Sequence, residues 1–444
     1  MNFRSLTILL SVTMLFAMSA SAQRMWTLSD CISYAMEHNL QIQQSHNALR
    51  SAEVDVKQSK AALFPSLSFS SQQQLGFQKL ESQSYGSFDS KATNPSYSGS
   101  YGLQGNVTIY DGGNNWLTVK KNRLTLQTQQ LENEKTANDI VIRIIQAYYQ
   151  VMYAHESVLT NKEIVALSER ECERTIARQQ AGKGNKVDVA QMESQLQQNR
   201  YQLTQAETTE QENILSLKQL LQLAPSGDFS VSFQEYGDND VLAPVQSLAA
   251  SEQQALAYLP DMKVADAKVR SAEMQVKMAK TGSMPTVSLN AGVSTSNGNS
   301  LGGNFATQIK NHLYGSVGLS LQVPIYDRRS TRSSVEKAQL QLSDTQINHE
   351  NALLDLQNTI ASLHLDIMSA QSRYRSAVES EKAACLSYEM MNERYGVGLE
   401  TLIDLLTEKN NYLRAKQETL QSKYMALLNM ELLKCYTGQK EYRK

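Results

Sequence analysis

Residues 97–112 read YSGSYGLQGNVTIYDG. The odd positions, Tyr97, Gly99, Tyr101, Leu103, Gly105, Val107 and Ile109, alternate with Ser98, Ser100, Gly102, Gln104, Asn106 and Thr108. A period of two defines a strand with one apolar and one polar face. The polar face holds small uncharged residues, which suits a water-filled lumen better than a surface set with Lys and Glu. The strand ends in Tyr110-Asp111-Gly112-Gly113, and a long helical pattern follows at once. The design returns at 313–329, LYGSVGLSLQVPIYDRR, where Leu313, Gly315, Val317, Leu319, Leu321 and Val323 alternate with Tyr314, Ser316, Gly318, Ser320 and Gln322. It ends in Tyr326-Asp327 before another long helix. Two such strands point to a duplicated chain that crosses a membrane as β and continues as α.

The duplication extends well beyond these strands. Ala52-Glu53 recurs as Ala272-Glu273, and Pro65 as Pro285, at an offset of 220 (273 − 53). Asp111 recurs as Asp327, and Arg178, Gly182 and Asp188 recur as Arg394, Gly398 and Asp404, at an offset of 216 (327 − 111). The offset changes only between the two strands of each half, as a difference in hairpin-loop length would make it.

The first repeat, 23–222, predicts a helix over 28–62, strands at 65–78 and 97–110 around an exposed loop at 79–96, a helix over 113–180, a tip turn at 181–185 and a helix over 186–222. Pro65 ends the first helix, because the residue before proline is pushed out of the α region. After Gly113 the long stretch holds neither Pro nor Gly, and at ~1.5 Å per residue it reaches on the order of 100 Å. Residues 223–247 link the halves through Pro225, Gly227, Gly237 and Pro244, with a short Phe229-Val231-Phe233 alternation that reads as a small mixed patch beside the helices. The second repeat, 248–436, predicts a helix over 248–281, strands at 285–295 and 313–325 around a loop at 296–312, a helix over 328–395, a tip turn at 396–400 and a helix over 401–436. Residues 437–444 form a charged tail.

Residues 1–22 read as a secretory signal peptide: Arg4, an apolar run from Leu6 to Ala17, and Ala20-Ser21-Ala22 before Gln23. No Cys sits just after that site, which argues against lipid attachment there. After residue 22 no apolar run of about 18 residues occurs, so a membrane position requires a barrel. The net charge of −2 carries no global basic signal for nucleic acid or anionic lipid. The four cysteines, Cys31, Cys172, Cys385 and Cys435, lie too far apart for a disulfide framework. Cys31 and Cys435 can meet if the chain ends lie together; the alternative is buried thiols.

Closure is the physical problem. Four strands of about 10–14 residues can cross a tilted path through a bilayer. They cannot close a barrel alone, since single-chain barrels start at about eight strands, and lipid does not tolerate open edges. The chain must therefore assemble with copies of itself. Phe64, Tyr110 and Tyr326 stand where helix meets strand, with Trp116 one turn further on, as an interfacial aromatic belt would. The long helices carry Leu and Val at three and four spacing, with weakly charged Gln-, Asn-, Ser- and Ala-rich faces between. A hollow bundle with a wet centre accounts for both faces.

The repeated Arg-x-x-x-Gly-(x)5-Asp turn, the Pro-led first strand, the strand ending in Tyr-Asp and the helix lengths resemble the TolC family of outer-membrane efflux proteins. The resemblance covers essentially the whole mature chain. It implies an α+β membrane protein and a homotrimer. Three chains would share one twelve-stranded barrel in outer-membrane lipid and one helical tunnel through the periplasm. A periplasmic adaptor and an inner-membrane pump would dock at the far end, and cargo would pass without chemistry.

The resemblance also places residues. The turns become periplasmic tips, with Arg178, Gly182 and Lys183 on one and Arg394, Val397, Gly398 and Leu399 on the other, where the adaptor meets them. Asp404 matches an acidic ring at the narrow aperture, and Asp188 the acid of the neighbouring hairpin. A second acidic position of the family is Thr407 here, so the ring would be single. Tyr395 matches an aromatic that helps hold the closed state. Glu400 stands where some members carry a gate-locking Arg, and Lys183 or Lys186 is expected to pair with it as a reversed lock. Read without the resemblance, Asn185 to Asp188 and Thr401 to Asp404 have capping-box spacing, and each acid then simply stabilises a helix start. Both roles are compatible. Aspartates converging on an axis would repel, raise at least one pKa and attract cations.

Two other classes compete. An enzyme needs a site, and His38, His46, His155, His312, His349 and His364 show no ligand spacing, nor is there a G-x-S-x-G or Walker loop. A periplasmic coiled-coil scaffold or adaptor would carry β-rich modules flanking one helical hairpin; here two strand pairs sit inside two long helical repeats. The cargo stays open between drugs, metals, other small molecules and proteins.

Overall fold

The computed structural model describes residues 25–79 and 93–439. The expected signal peptide, most of the loop at 79–96 and the end of the charged tail lie outside the described residues. The chain forms two compact units. A sheet unit holds Asn47–Leu131 and Lys263–Glu350, and a bundle unit holds Glu132–Met262 with the described residues up to His46 and from Asn351 onward.

The sheet unit contains four strands, Ser66–Lys79, Thr93–Tyr110, Thr286–Gly298 and Tyr314–Gln322, paired antiparallel in chain order. One continuous register sorts the faces. Phe69, Leu103, Val293 and Gly315 stand in one row across the sheet, and Val107, Leu289 and Leu319 in another. Ser68, Gln104, Gly292 and Ser316 fill a row of the opposite face. The apolar face is exposed at Leu67, Phe69, Val317, Leu319 and Leu321. Strict alternation would put Tyr110 among the small polar residues. A bulge between Thr108 and Tyr110 instead sets Tyr110 opposite Val287, on the apolar face. The loop expected at 296–312 contains a helix, Phe305–Asn311.

Each strand pair feeds a helix of 67 residues, Asn114–Gln180 and Ser330–Gly396, whose ends both repeat at the offset of 216. The Tyr-Asp before each long helix has a local purpose. Asp111 accepts from the Gly113 and Asn115 amides at 3.1 and 2.8 Å, and Asp327 accepts from the Thr331 amide at 2.7 Å. Both carboxylates satisfy donors that a helix start leaves unpaired. Between cap and helix the backbone is left-handed in both copies: Gly112 and Gly113 at φ 70° and 85°, Arg328 and Arg329 at φ 53° and 67°. Glycine carries this conformation without strain, whereas arginine loses about 1–2 kcal/mol. Arg328→Gly is therefore expected to stabilise the protein by about 0.5–1 kcal/mol, after the loss from the freer unfolded glycine. Gly112→Ala is expected to destabilise by more than about 1–2 kcal/mol, because its Cβ would also collide with Cβ of Met284. Urea titration of the two variants in detergent reads both signs.

The helices expected over 28–62 and 248–281 are each divided. Leu28–His38 and Leu40–Ala61 break at Asn39; Leu248–Tyr258 and Pro260–Lys280 break at Leu259. These breaks lie at the offset of 220, and both close on an N–H to carbonyl bond of 2.9 Å, to Ala35 and Ala255. Asn39 is buried, donating to the Leu220 carbonyl at 3.0 Å and accepting from the Gln41 amide at 2.8 Å. The break thus joins the chain start to the end of the helix Lys186–Leu220.

The linker closes over the bundle unit's core. Met25–Trp26 pairs in parallel with Ser230–Val231, the only strand that the Phe229–Phe233 alternation supplies. Tyr148 donates to the Ser232 carbonyl at 2.8 Å, and Gln371 to the Val241 and Ala243 carbonyls at 2.9 Å each. Trp26 meets Tyr34 edge-on at 5.1 Å. All four cysteines are thiols, and Cys31 and Cys435 are buried in this core without a disulfide between them. Among the described residues no helix is long and apolar enough to cross a membrane.

Candidate functional site

The two helical reversals share one hydrogen-bond pattern. Gly182 and Lys183 donate to Gln179 and Arg178 carbonyls at 3.0 and 2.9 Å; Gly398 and Leu399 donate to Tyr395 and Arg394 carbonyls at 3.0 Å each. Gly182 and Gly398 are left-handed, at φ 74° and 84°. This is the Schellman ending, which requires a residue without a Cβ penalty at the reversal.

The returning helices, Lys186–Leu220 and Leu402–Thr437, start differently. Thr401 and Asp404 form a complete capping box: the Asp404 carboxylate accepts from the Thr401 amide and hydroxyl at 3.3 and 2.5 Å, and the Asp404 amide donates to Thr401 Oγ1 at 3.3 Å. At the other tip Asn185 accepts from the Val187 amide at 2.9 Å, so the box expected with Asp188 is not closed. Asp404 is exposed and Asp188 half-buried.

Tyr395 is buried, and the Arg178 guanidinium lies over its ring at 4.5 Å while donating to its carbonyl. Arg174 reaches Asn392 Oδ1 at 3.2 Å across the backbone of Gly396, where a Cβ would collide with the guanidinium. These cations join the two hairpins. Glu400 does not pair with Lys183 or Lys186: its carboxylate takes Arg394, on its own hairpin, at 2.6 Å. The tight reversal brings the last turn of one helix beside the first residues of the next, so Arg394 is the nearer cation. Around these polar groups stand exposed Val187, Val397, Leu399 and Ile403, with Val397 and Leu399 at 74% and 70% exposure.

Sequence reading missed the polar centre above the tips. Lys409 is fully buried, donating to Ser168 Oγ at 2.9 Å and to the Glu171 carboxylate. Asn199 donates to Ser168 Oγ at 2.6 Å, and Tyr388 donates its hydroxyl to Glu171. Burial, then that carboxylate, holds the Tyr388 phenol well above its usual range, so it stays a donor. Four helices contribute these five groups, with Ser168 and Glu171 both on Asn114–Gln180. The signal was present: Lys409 continues the stripe Leu402, Leu405, Leu406, where an unpaired charge has no place.

In the sheet unit, Phe64, Tyr110, Trp116 and Tyr326 are all exposed, beside exposed Val323 and Ile325. No group of His, Cys, Asp and Glu among the described residues is arranged to hold a metal. Four histidines are held by hydrogen bonds, His38 to the Tyr34 carbonyl at 3.0 Å, His155 to Glu210 at 2.7 Å, His349 to Asp266 at 2.9 Å, and His312 to the Gln308 carbonyl at 2.8 Å.

A sheet with one apolar and one small-polar face, each strand pair leading into a 67-residue helix, is the plan of one subunit of a channel-tunnel. The sequence profile described as Outer membrane efflux protein matches residues 31–222 and 252–439, and the chain belongs to that family. It is similar to the outer membrane efflux protein BepC of Brucella suis biovar 1, 23% identical over 97% of this chain and 89% of that one. Protein CyaE of Bordetella pertussis is 22% identical over 90% of this chain and 83% of its own. The fold is that of VceC from Vibrio cholerae, with a TM-score of 0.77 at 16% identity, covering 93% of this chain and 96% of that chain. The protein is thus an outer-membrane efflux channel-tunnel of a tripartite system, a homotrimer that extends into the periplasm and works with an adaptor and an inner-membrane pump. It is not an enzyme.

Proposed function

We propose that the two tips form the periplasmic aperture of the trimer, with Asp404 as its cation-binding constriction, and that Val397, Gly398 and Leu399, with Arg178, Gly182, Lys183 and Arg394, receive the adaptor. Three four-stranded sheets would close into twelve strands by pairing each open edge, Ser66–Lys79, with the Tyr314–Gln322 edge of the next chain. The observation that carries the reading is the tip itself. Two reversals of one geometry present apolar side chains to water at their ends and a carboxylate at the start of each returning helix. Apolar tips want a protein partner. Three Asp404 carboxylates on one axis want a cation. Asp188, half-buried and outside a capping box, would assist; Tyr395 under Arg178 would hold the closed arrangement, and Glu400 on Arg394 would stiffen the reversal. Lys186, beside the Asn185 cap, would moderate the charge of the neighbouring acid. Phe64, Tyr110, Trp116 and Tyr326 would lie at the periplasmic boundary of the lipid.

Single-channel conductance in a planar bilayer tests this, with wild type, Asp404→Asn and Thr401→Ala compared with and without divalent cations. Divalent block should weaken on the order of tenfold in Asp404→Asn, from the loss of one nearby charge per subunit, and persist in Thr401→Ala, which loses only the cap. Equal block in all three would reduce Asp404 to a helix cap.

A further inference from the structure

The helix Phe305–Asn311 has seven residues, far too few to persist alone in water. Its neighbours hold it. Gln308 is buried with its amide fully engaged: Oε1 accepts from the Gly298 amide at 3.0 Å, and Nε2 donates to Leu301 and Gly303 carbonyls at 2.7 and 3.1 Å. Thr295 Oγ1 donates to the Ile309 carbonyl at 2.7 Å, and Phe305 meets Tyr101 edge-on at 6.3 Å. Asn304 caps the first turn through the Thr307 amide at 2.9 Å.

These contacts fix the side on which the helix sits. Tyr101 pairs with Thr295, one row beyond Leu103 and Val293. Both anchors therefore belong to the apolar face, not to the small-polar face of the lumen. The next row beyond, Gly99 and Asn297, is no longer apolar. The helix thus lies on the outside of the sheet, where the lipid-facing band ends, at the strand ends remote from the long helices. Phe305 nevertheless keeps 57% of its surface exposed, and Lys310 and His312 are exposed at the other end of the same short segment. From Thr286 to Tyr326 Lys310 is the only Lys, Arg, Asp or Glu.

We propose that residues 305–312 form a foot on the outer leaflet: Phe305 enters the boundary between acyl chains and headgroups, and Lys310, with His312, receives the phosphate of an anionic lipid. Two features select this occupant. The helix continues the lipid-facing surface, and its formal charge is a lone cation with no acid near it in sequence, complementary to a phosphate. An aromatic ring and a cation on one short segment at the end of an apolar band are how side chains divide between the two phases.

The test uses the full-length trimer in vesicles. In Phe305→Trp, the emission added over wild type should be quenched by roughly half or more by lipid brominated high on the acyl chain, and little by aqueous iodide. Quenching by iodide alone would place the ring in water, and quenching by neither would place it against a neighbouring subunit; each overturns the proposal. In a second arm, native mass spectrometry of trimer released from phosphatidylglycerol-containing vesicles should show Lys310→Gln retaining about fivefold less of that lipid than wild type. Equal retention overturns the phosphate contact, and this arm decides alone if Phe305→Trp does not assemble.

Discussion

Lys409→Met is expected to loosen the whole tip-proximal bundle, by about 3–5 kcal/mol. The loss does not come from the removed attraction alone. Glu171 is left charged and buried with its main counter-charge gone, and Ser168 loses a donor. Desolvating a carboxylate without a partner is what makes breaking a buried pair costly. Met fills nearly the volume of the Lys stem, so a cavity is not the cause. The double variant Lys409→Met with Glu171→Leu is therefore expected to recover most of the loss, since an apolar replacement of a complete pair is often neutral. Hydrogen exchange of amides around Ser168, Tyr388 and Leu405 gives the readout. Protection should collapse in the single variant and return in the double one. Equal loss in both would mean that packing at Lys409, not charge, holds the helices.

This network also marks where sequence reading stops. The strands were legible because a period of two is a local property. From Tyr97 to Ile109 each residue states its own face, and the duplication repeats the statement from Leu313 to Val323. The tip reversals were legible because only glycine suits φ near 70–85°, at Gly182 and Gly398. What joins distant segments was not. Asn39 shows nothing in sequence of its bond to Leu220, and its copy Leu259 reveals the break only through Pro260, a residue suited to the first helical position. Nothing in the sequence around Glu171 sets it apart from a surface acid, because its partners Lys409 and Tyr388 lie more than 200 residues away. Arg394 took Glu400 from the expected lysines because the reversal determines proximity, and charge alone does not. Tyr110 needed a bulge to reach the face that its chemistry suits, and no residue beside it announces one. The helix at Phe305–Asn311 is too short to show a period at all.

Adjacent residues of the fourth strand should respond oppositely to the same substitution. Leu319 ends the apolar row that runs from Val107 through Leu289, and is exposed in a single chain. Leu319→Arg places a guanidinium where outer-membrane lipid is deepest, at a cost of about 2–4 kcal/mol in each subunit. The strand is also a sheet edge, so the same change strikes the pairing between chains, and three copies meet in one barrel. Heat-resistant trimer on a denaturing gel should fall to a small fraction of wild type. Ser320 pairs with Ser288 on the other face, among Thr108 and Gln322. Ser320→Arg puts its charge in water and should leave trimer yield intact. Three added cations around the lumen should instead lower cation selectivity in planar bilayers, most strongly at low salt, because screening shortens the reach of each charge. The reverse pattern, tolerance at Leu319 and lost trimer at Ser320, would invert the faces of the barrel. It would also move the helix at Phe305–Asn311 from the lipid side to the lumen, so this pair of variants tests the wall and the foot upon it together.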